Sequence, residues 1–262
     1  MANGILALNS TKAGILSLKA LYPPLNKLKM SEKKIVILDA DTISEDRSIW
    51  SPLESLGKVE AYGNIQPEEV AARINGAWAV LTNKVPVSLH AMEQTPSLKY
   101  IGVLATGYNI VDIDAARRLG IAVTNIPGYS TDSVAQLVFA LLLELTNHTG
   151  NYSQEVNAGR WERSPLFSFR LSPIVELAGL TMGIYGFGTI GRRVAEIARA
   201  FGMKVITPSN KTLPEGVEHV ESEEFWRCAD VISINAAFTP EQTSLVNART
   251  LAMMKPAAYL IN

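Results

Sequence analysis

The residues whose types and spacing most directly imply chemistry are Gly186, Gly188 and Gly191, in GIYGFGTIGRRVAEIARAFG. Alone, G-x-G-x-x-G is a weak pattern. Here it follows a strand-like run, LTMGIYG, and opens a helix-like one, TIGRRVAEIARAFG, the context that makes it a dinucleotide-binding turn. Gly186 permits the tight turn, Gly188 lets a pyrophosphate approach the backbone, and Gly191 lets helix and strand pack closely. The helix N-terminus adds free N–H groups and a positive dipole end.

A site that prefers NAD carries an acid at the end of the second strand, about 20 residues on, for the ribose hydroxyls. The run here is MKVITPSNKT, with Ser209 at that position and Asn210 and Lys211 after it; no acid occurs between Glu196 and Glu215. Removing the carboxylate removes repulsion of a 2′-phosphate, which Ser209 and Asn210 can hydrogen-bond and Lys211 can neutralise. The expected cofactor is NADP(H) in preference to NAD(H). The alternative is that Lys211 is a solvated loop charge and the site is unselective.

A second group of candidates lies upstream. GVLATGYNIVD reads as a strand end followed by a turn, and ligands bind at the carboxyl edge of open α/β sheets. Gly107 frees the backbone, so the N–H groups of Thr106 and Gly107 could hold a carboxylate. LTNK ends the preceding strand and brings Lys84 to the same edge. By itself, either stretch is more often a capped loop than a site.

These residues need a scaffold, and the chain alternates accordingly. KIVILDA, KVEAYG, AWAVLTN, LKYIGVLAT and IAVTNIP read as strands, with helices over 46–56, 67–75, 88–95 and 112–119. After the break at IPGYSTD come an apolar helix from near Ser133, a helix over 151–160 and the irregular arm RWERSPLFSFRLSPIVELAG. Then LTMGIYG, MKVIT, DVISIN and AAYLIN read as four strands, with helices between them and His219 in a loop. The fold class is α/β, with two doubly wound parallel-sheet units.

Composition narrows the function. A hydrophobic fraction of 47% fills a globular core, and a formal net charge of −1 gives no reason to expect nucleic acid as a partner. One cysteine, Cys228, excludes an internal disulfide framework and suits a reducing, cytoplasmic setting; with three histidines, no metal-ligand spacing appears. The longest apolar stretch, SVAQLVFALLLEL, is shorter than a bilayer span and carries Gln136 and Glu144, so no membrane role is expected. Residues 1–31 hold four lysines and no acid. Without arginine they make a poor transit peptide, so 1–30 is read as a disordered extension.

Taken in order, LTNKVP, LKYIGVLATGYNIVDIDAARRLGIAVTNIPGYSTDSVAQLVFALLLELTNH, GRW, ELAGLTMGIYGFGTIGRRVAEIARAFGMKV and TPEQTSLVNARTLAMMKPAAYLIN resemble the D-isomer-specific 2-hydroxyacid dehydrogenase family, in particular its glycerate dehydrogenase (hydroxypyruvate reductase) branch. The resemblance runs from about residue 34 to the last residue. It implies a flavodoxin-like substrate domain over 31–128 and a Rossmann dinucleotide-binding domain over 129–262. It implies that Thr106 and Gly107 hold the substrate carboxylate, that Thr189 and Ile190 touch the pyrophosphate, and that Ala236 and Ala237, in NAAFTP, pass the adenosine side. Ser209 departs from the aspartate of NAD-preferring members, and Ala237 from a frequent proline. The implied activity is hydride transfer between NAD(P)(H) and a small 2-keto or 2-hydroxy acid. From the residues themselves a homodimer is expected through the apolar helix 133–147 and the GRWERSPLFSFR arm, which need more partner surface than one domain provides; the alternative for the arm is a surface loop.

The family's arginine and its histidine–glutamate pair would fall beyond Asn262, and His90, His148 and His219 are not expected to replace them. In strand order 3-2-1-4-5-6 the crevice lies between strands 1 and 4. With LTMGIYG as strand 1 and AAYLIN as strand 4, the second unit is expected to be incomplete after its fourth strand and the chain an inactive fragment. The rival from another class is a nucleotide-sensing, corepressor-like binding dimer of the same fold.

Overall fold

The computed structural model describes residues 5–7, 33–236 and 244–262. The chain divides into two units, Met1–Tyr129 and Ser130–Asn262.

In the first unit the elements are β1 (Ile5–Ala7), β2 (Lys34–Ile37), α1 (Ser51–Glu54), β3 (Lys58–Ala61), α2 (Val70–Arg73), β4 (Ala77–Thr82), α3 (Leu89–Glu93), β5 (Tyr100–Val103), α4 (Ile113–Arg118) and β6 (Ala122–Asn125). Every strand pairing is parallel, in the order β1-β6-β5-β4-β2-β3. Parallel strands covered on both faces read as continuous apolar runs, and Val36, Ile37 and Leu38 are fully buried in succession. Local chemistry starts the short helices: Ser88 Oγ accepts from Ala91 N, and Asp112 Oδ1 from Ala115 N. The expectation that residues 1–30 stay outside the fold is corrected at Ile5–Ala7, which pair with Val123–Asn125 as an edge strand. The rest of that segment lies outside the described residues.

The second unit contains α5 (Thr131–Asn147), α6 (Thr149–Asn157), β7 (Thr181–Tyr185), α7 (Thr189–Ala200), β8 (Lys204–Thr207), β9 (Val217–His219), α8 (Ser222–Cys228), β10 (Val231–Ile234), α9 (Ala248–Met253) and β11 (Tyr259–Ile261). Its sheet is parallel, ordered β11-β10-β7-β8-β9. Alternation along the strands divides the core. Val205 and Val231 join Phe139 and Leu142 of α5 and Val194 and Ala198 of α7, whereas Ile206 and Ile232 join Phe225 and Trp226 of α8. Helices therefore cover both faces. Among the described residues no helix is long and apolar enough to cross a membrane.

Two expectations are corrected here. The sheet has five strands rather than four, because His219 lies in strand β9 and not in a loop. Val217-Glu218-His219 is three residues long, with Glu218 and His219 exposed, so it carries no apolar run to read. The strand beside β7 is consequently β10, DVISIN; β11, AAYLIN, lies one position further out and forms an edge. The end of AAYLIN is thus not the neighbour of the glycine turn.

Candidate functional site

In the second unit, the carboxyl ends of β7, β8 and β10 bring together the glycine turn, Ser209–Lys211 and Asn235–Ala236. Ala237 lies outside the described residues.

Each glycine of the turn has its own physical requirement. Gly186 adopts φ +93°, and a Cβ there would collide with the backbone of Asn235 and Ala236 at the end of β10. A Cβ on Gly191 would strike the Gly186 carbonyl and come within 3.1 Å of Ile184 Cγ2, so this glycine lets helix and strand touch. Gly188 is different: among the described residues no atom beyond its chain neighbours lies within 4 Å of a Cβ built there. None of the described residues demands glycine at 188, and the open space is where a bound group would approach the backbone. That cradle fits a pyrophosphate. Gly188 is also the N-cap of α7 and offers no side chain to the first-turn N–H groups of Thr189, Ile190 and Gly191.

The loop after β8 is ordered by short bonds. Thr207, fully buried, donates through Oγ1 to Ile184 O at 2.8 Å. Ser209 N donates to Thr207 Oγ1 at 3.3 Å, and Lys211 N to Ser209 Oγ at 3.3 Å. Asn210 Oδ1 lies 3.1 Å from His219 Nε2, a contact made possible by β9. Ser209, Asn210 and Lys211 thus gather at the strand end where ribose hydroxyls are read, with no carboxylate among the three. A cavity of about 500 Å³ is lined by Gly188, Thr189, Arg192 and Lys211 among others.

In the first unit the candidates Lys84, Thr106 and Gly107 also lie at carboxyl ends of strands, after β4 and β5. The residue that organises the first of these loops was not anticipated. Asp39, fully buried just after β2, accepts the backbone N–H groups of Asn83 at 2.9 Å, Lys84 at 2.5 Å and Val85 at 3.1 Å. A buried carboxylate is tolerated when hydrogen-bonded in this way, and it fixes the turn that carries Lys84. The only signal in the sequence is an acid ending an otherwise apolar strand, IVILDA.

Asn125 was missed in the same way. It donates through Nδ2 to Thr106 O at 2.8 Å, while Thr106 Oγ1 donates to Ile126 O at 3.0 Å and Ile126 N to Ala105 O at 3.1 Å. The 105–107 turn is held against the end of β6. Among the described residues no protein acceptor takes the N–H of Thr106 or Gly107. Gly107 does not adopt a left-handed φ, and among the described residues a Cβ there would meet only Asn109 Oδ1, at an ordinary 3.6 Å, so the turn's own conformation does not require glycine.

Among the described residues no cluster of His, Cys, Asp or Glu could hold a metal ion. His90 is an exposed residue of α3, and His148 takes a left-handed conformation (φ 53°) between α5 and α6. With His219 paired to Asn210, none of the three histidines hydrogen-bonds a carboxylate among the described residues.

Two parallel α/β units, one carrying a glycine turn built for a dinucleotide, define a nucleotide-binding α/β protein. Comparison with known proteins makes this more specific. Residues 139–262 match the family described as D-isomer specific 2-hydroxyacid dehydrogenase, NAD binding domain. The chain is 40% identical over 236 residues to a hydroxypyruvate reductase of Blautia hydrogenotrophica, covering 87% of this chain and 73% of that protein. It is 35% identical over 232 residues to a glycerate dehydrogenase of Methylorubrum extorquens, covering 88% and 72%. Among solved structures, an acyclic imino acid reductase in complex with NADPH and D-Arg superposes with a TM-score of 0.74 at 28% identity, covering 87% of this chain and 73% of that one. The chain belongs to the D-isomer-specific 2-hydroxyacid dehydrogenase family, an NAD(P)-dependent family, and lies among its hydroxypyruvate- and glycerate-related members.

Proposed function

We propose that this protein binds NADP(H) in preference to NAD(H) at the Gly186–Gly191 turn and interconverts a small D-2-hydroxy acid with its 2-keto acid, glycerate and hydroxypyruvate being the expected pair. The observation that carries the reading is Gly188, a glycine with open space where its Cβ would be, set between two glycines that the fold itself requires. The substrate class is supported by kinship with the hydroxypyruvate reductase and the glycerate dehydrogenase, and the cofactor by the absence of an acid at Ser209–Lys211.

When bound, the reduced nicotinamide supplies a hydride to C2 of the keto acid. The protein's own groups bind and orient. The N–H groups of Thr189 and Ile190 take the pyrophosphate, and Ser209, Asn210 and Lys211 take the 2′-phosphate. Ala236 flanks the adenosine side. The N–H groups of Thr106 and Gly107 hold the substrate carboxylate, with Lys84 as the cation on the neighbouring loop. Close approach of that carboxylate is the remaining reason for glycine at 107.

Reduction also needs an acid for the C2 oxygen, and a positioned acid contributes about 10²–10⁴ in rate. Among the described residues none of the three histidines has the carboxylate partner that would hold one in place. These 262 residues are therefore expected to bind nucleotide without turnover. The assay is NADPH oxidation with hydroxypyruvate or glyoxylate, beside calorimetric NADPH and NADH titrations. Turnover by these residues alone would overturn the assignment of the acid. Equal NADPH and NADH affinities, unmoved by Ser209→Asp, would overturn the cofactor assignment.

The same reading includes a homodimer. Leu137, Leu141 and Leu145 recur every four residues on α5 and are all exposed; Trp161, Leu166 and Phe167 of the arm are exposed too, Phe167 at 92%. Leu141→Glu or Trp161→Glu should yield monomers or aggregates in sedimentation. An unaltered dimer would place the interface elsewhere.

A further inference from the structure

Resting on the NADP(H) reading above, we propose that Arg192 is a second cation of the 2′-phosphate site and, with Lys211, sets the preference for a 2′-phosphorylated nucleotide.

The argument starts from two adjacent arginines with opposite surroundings. Arg193 is neutralised: its Nε donates to Asp132 Oδ1 and its Nη1 to Glu196 Oε2, both at 2.8 Å. Arg192 forms no ion pair with any carboxylate among the described residues. Its Nη2 donates to the Thr212 carbonyl at 2.9 Å, and its guanidinium carbon lies 5.0 Å from the centre of the Phe187 ring. Phe187 is itself buried, so the stacking surface is fixed. A guanidinium carries five N–H donors, and the bond to Thr212 uses one.

Thr212 directly follows Ser209-Asn210-Lys211, so Arg192 is fastened to the loop that reads the ribose hydroxyls. Lys211 also forms no ion pair among the described residues. Arg192 and Lys211 both line the cavity of about 500 Å³ in front of Gly188 and Thr189. Glu196 lines it too, but its carboxylate is engaged by Arg193. Two uncompensated cations, one a planar fork and one a point charge, suit a phosphate monoester dianion. The pyrophosphate has its own partners in the first-turn N–H groups of α7. The anion left for Arg192 and Lys211 is the one on the ribose.

The test is equilibrium titration of the protein with 2′,5′-ADP and with 5′-AMP, which differ by the phosphate in question and need no catalysis. The wild type should prefer 2′,5′-ADP by about tenfold or more. Arg192→Gln should weaken 2′,5′-ADP by about tenfold to a hundredfold, the worth of a charged hydrogen-bonding group, and leave 5′-AMP within about twofold. Arg192→Lys, which keeps the charge and loses the fork, should fall between. A wild type that prefers 2′,5′-ADP beside an Arg192→Gln variant that prefers it equally would overturn the role of Arg192 and leave the NADP(H) reading standing. Equal weakening of both nucleotides would make Arg192 only a tether for the loop. A wild type indifferent to the phosphate would overturn the NADP(H) reading, and this inference with it.

Discussion

At the sheet edge of the first unit side chains hold both candidate loops in place, whereas at that of the second unit glycines shape the phosphate turn and side chains order only the loop after β8. Asp39 gathers three backbone N–H groups and Asn125 grips the Thr106 carbonyl, so the turns that carry Lys84 and Thr106 are braced from strands elsewhere in the sheet. The Gly186–Gly191 turn lacks a capping side chain; it is shaped by a left-handed φ at 186 and by the contact of Gly191 with the Gly186 carbonyl. The difference follows from what each edge is read to hold. A pyrophosphate is gripped by a row of main-chain N–H groups, and any side chain among them is in the way. A small carboxylate needs only two such groups, and the surrounding loops can be built from side chains.

The sharpest way to break this comparison is within the glycine turn itself. Gly191→Val should destabilise the protein by about 3 kcal/mol, since the collision is with backbone and cannot relax cheaply. Gly188→Ala should leave the urea midpoint unchanged and weaken NADPH by about tenfold. Should Gly188→Ala lose as much stability as Gly191→Val, the open cradle would be a structural glycine after all.

Asp39→Ala tests the other edge. Three N–H groups, those of Asn83 and Val85 buried and that of Lys84 partly so, lose one shared acceptor, at an expected cost of about 2–3 kcal/mol after partial rehydration. Amide exchange at Asn83–Val85 should quicken far more than at Thr189–Gly191. Equal protection in variant and wild type would show that the Lys84 loop does not depend on the carboxylate.

The smallest effect expected is the acid response. Lys34 first and then Lys58 hydrogen-bond the Glu60 carboxylate of β3 and hold its pKa at about 2, against an ordinary 4.5. At the foot of β10, burial pushes the Asp230 carboxyl up, but the Lys255 ammonium and the Thr181 N–H outweigh it and the net direction is down. Both groups bind protons more weakly folded than unfolded. Their stabilisation is complete above the unfolded pKa and is lost as pH falls through the folded one, for Glu60 between about 4.5 and 2. Glu60→Gln should flatten the stability–pH slope across that window. An unchanged slope would mean that the Lys34–Glu60–Lys58 cluster is equally formed in the unfolded chain.

How much of this was legible without coordinates depended on sequence distance. The role of Gly191 could be read directly because its clash, with the Gly186 carbonyl, lies within six residues; the tight turn at Gly186 was legible too, but its collision with Asn235 and Ala236 was not. The missing acid at Ser209 could be read because strand, turn, helix and strand have fixed lengths. The helices capped by Ser88 and Asp112 announced themselves in the residues that start them.

Pairing across the sheet could not be read in this way. Val231 lies beside Met182 and Tyr259 beside Val231, and nothing local to DVISIN or AAYLIN says which of them reaches β7. Both are short apolar strands, and either would satisfy the pattern; the choice is made by helices packing on both faces of a twisted sheet. Strand β9 pairs three mostly exposed residues with β8, and only that pairing brings His219 to Asn210. Asp39 is 44 residues from Asn83, and its meaning lies wholly in that contact. Arg192 and Arg193 are neighbours of the same type on one helix. The sequence by itself determined that a nucleotide turn precedes them; only the tertiary structure decided which one is spent on Asp132 and Glu196 and which is left facing the cavity, because about 100° of helical rotation separates their side chains.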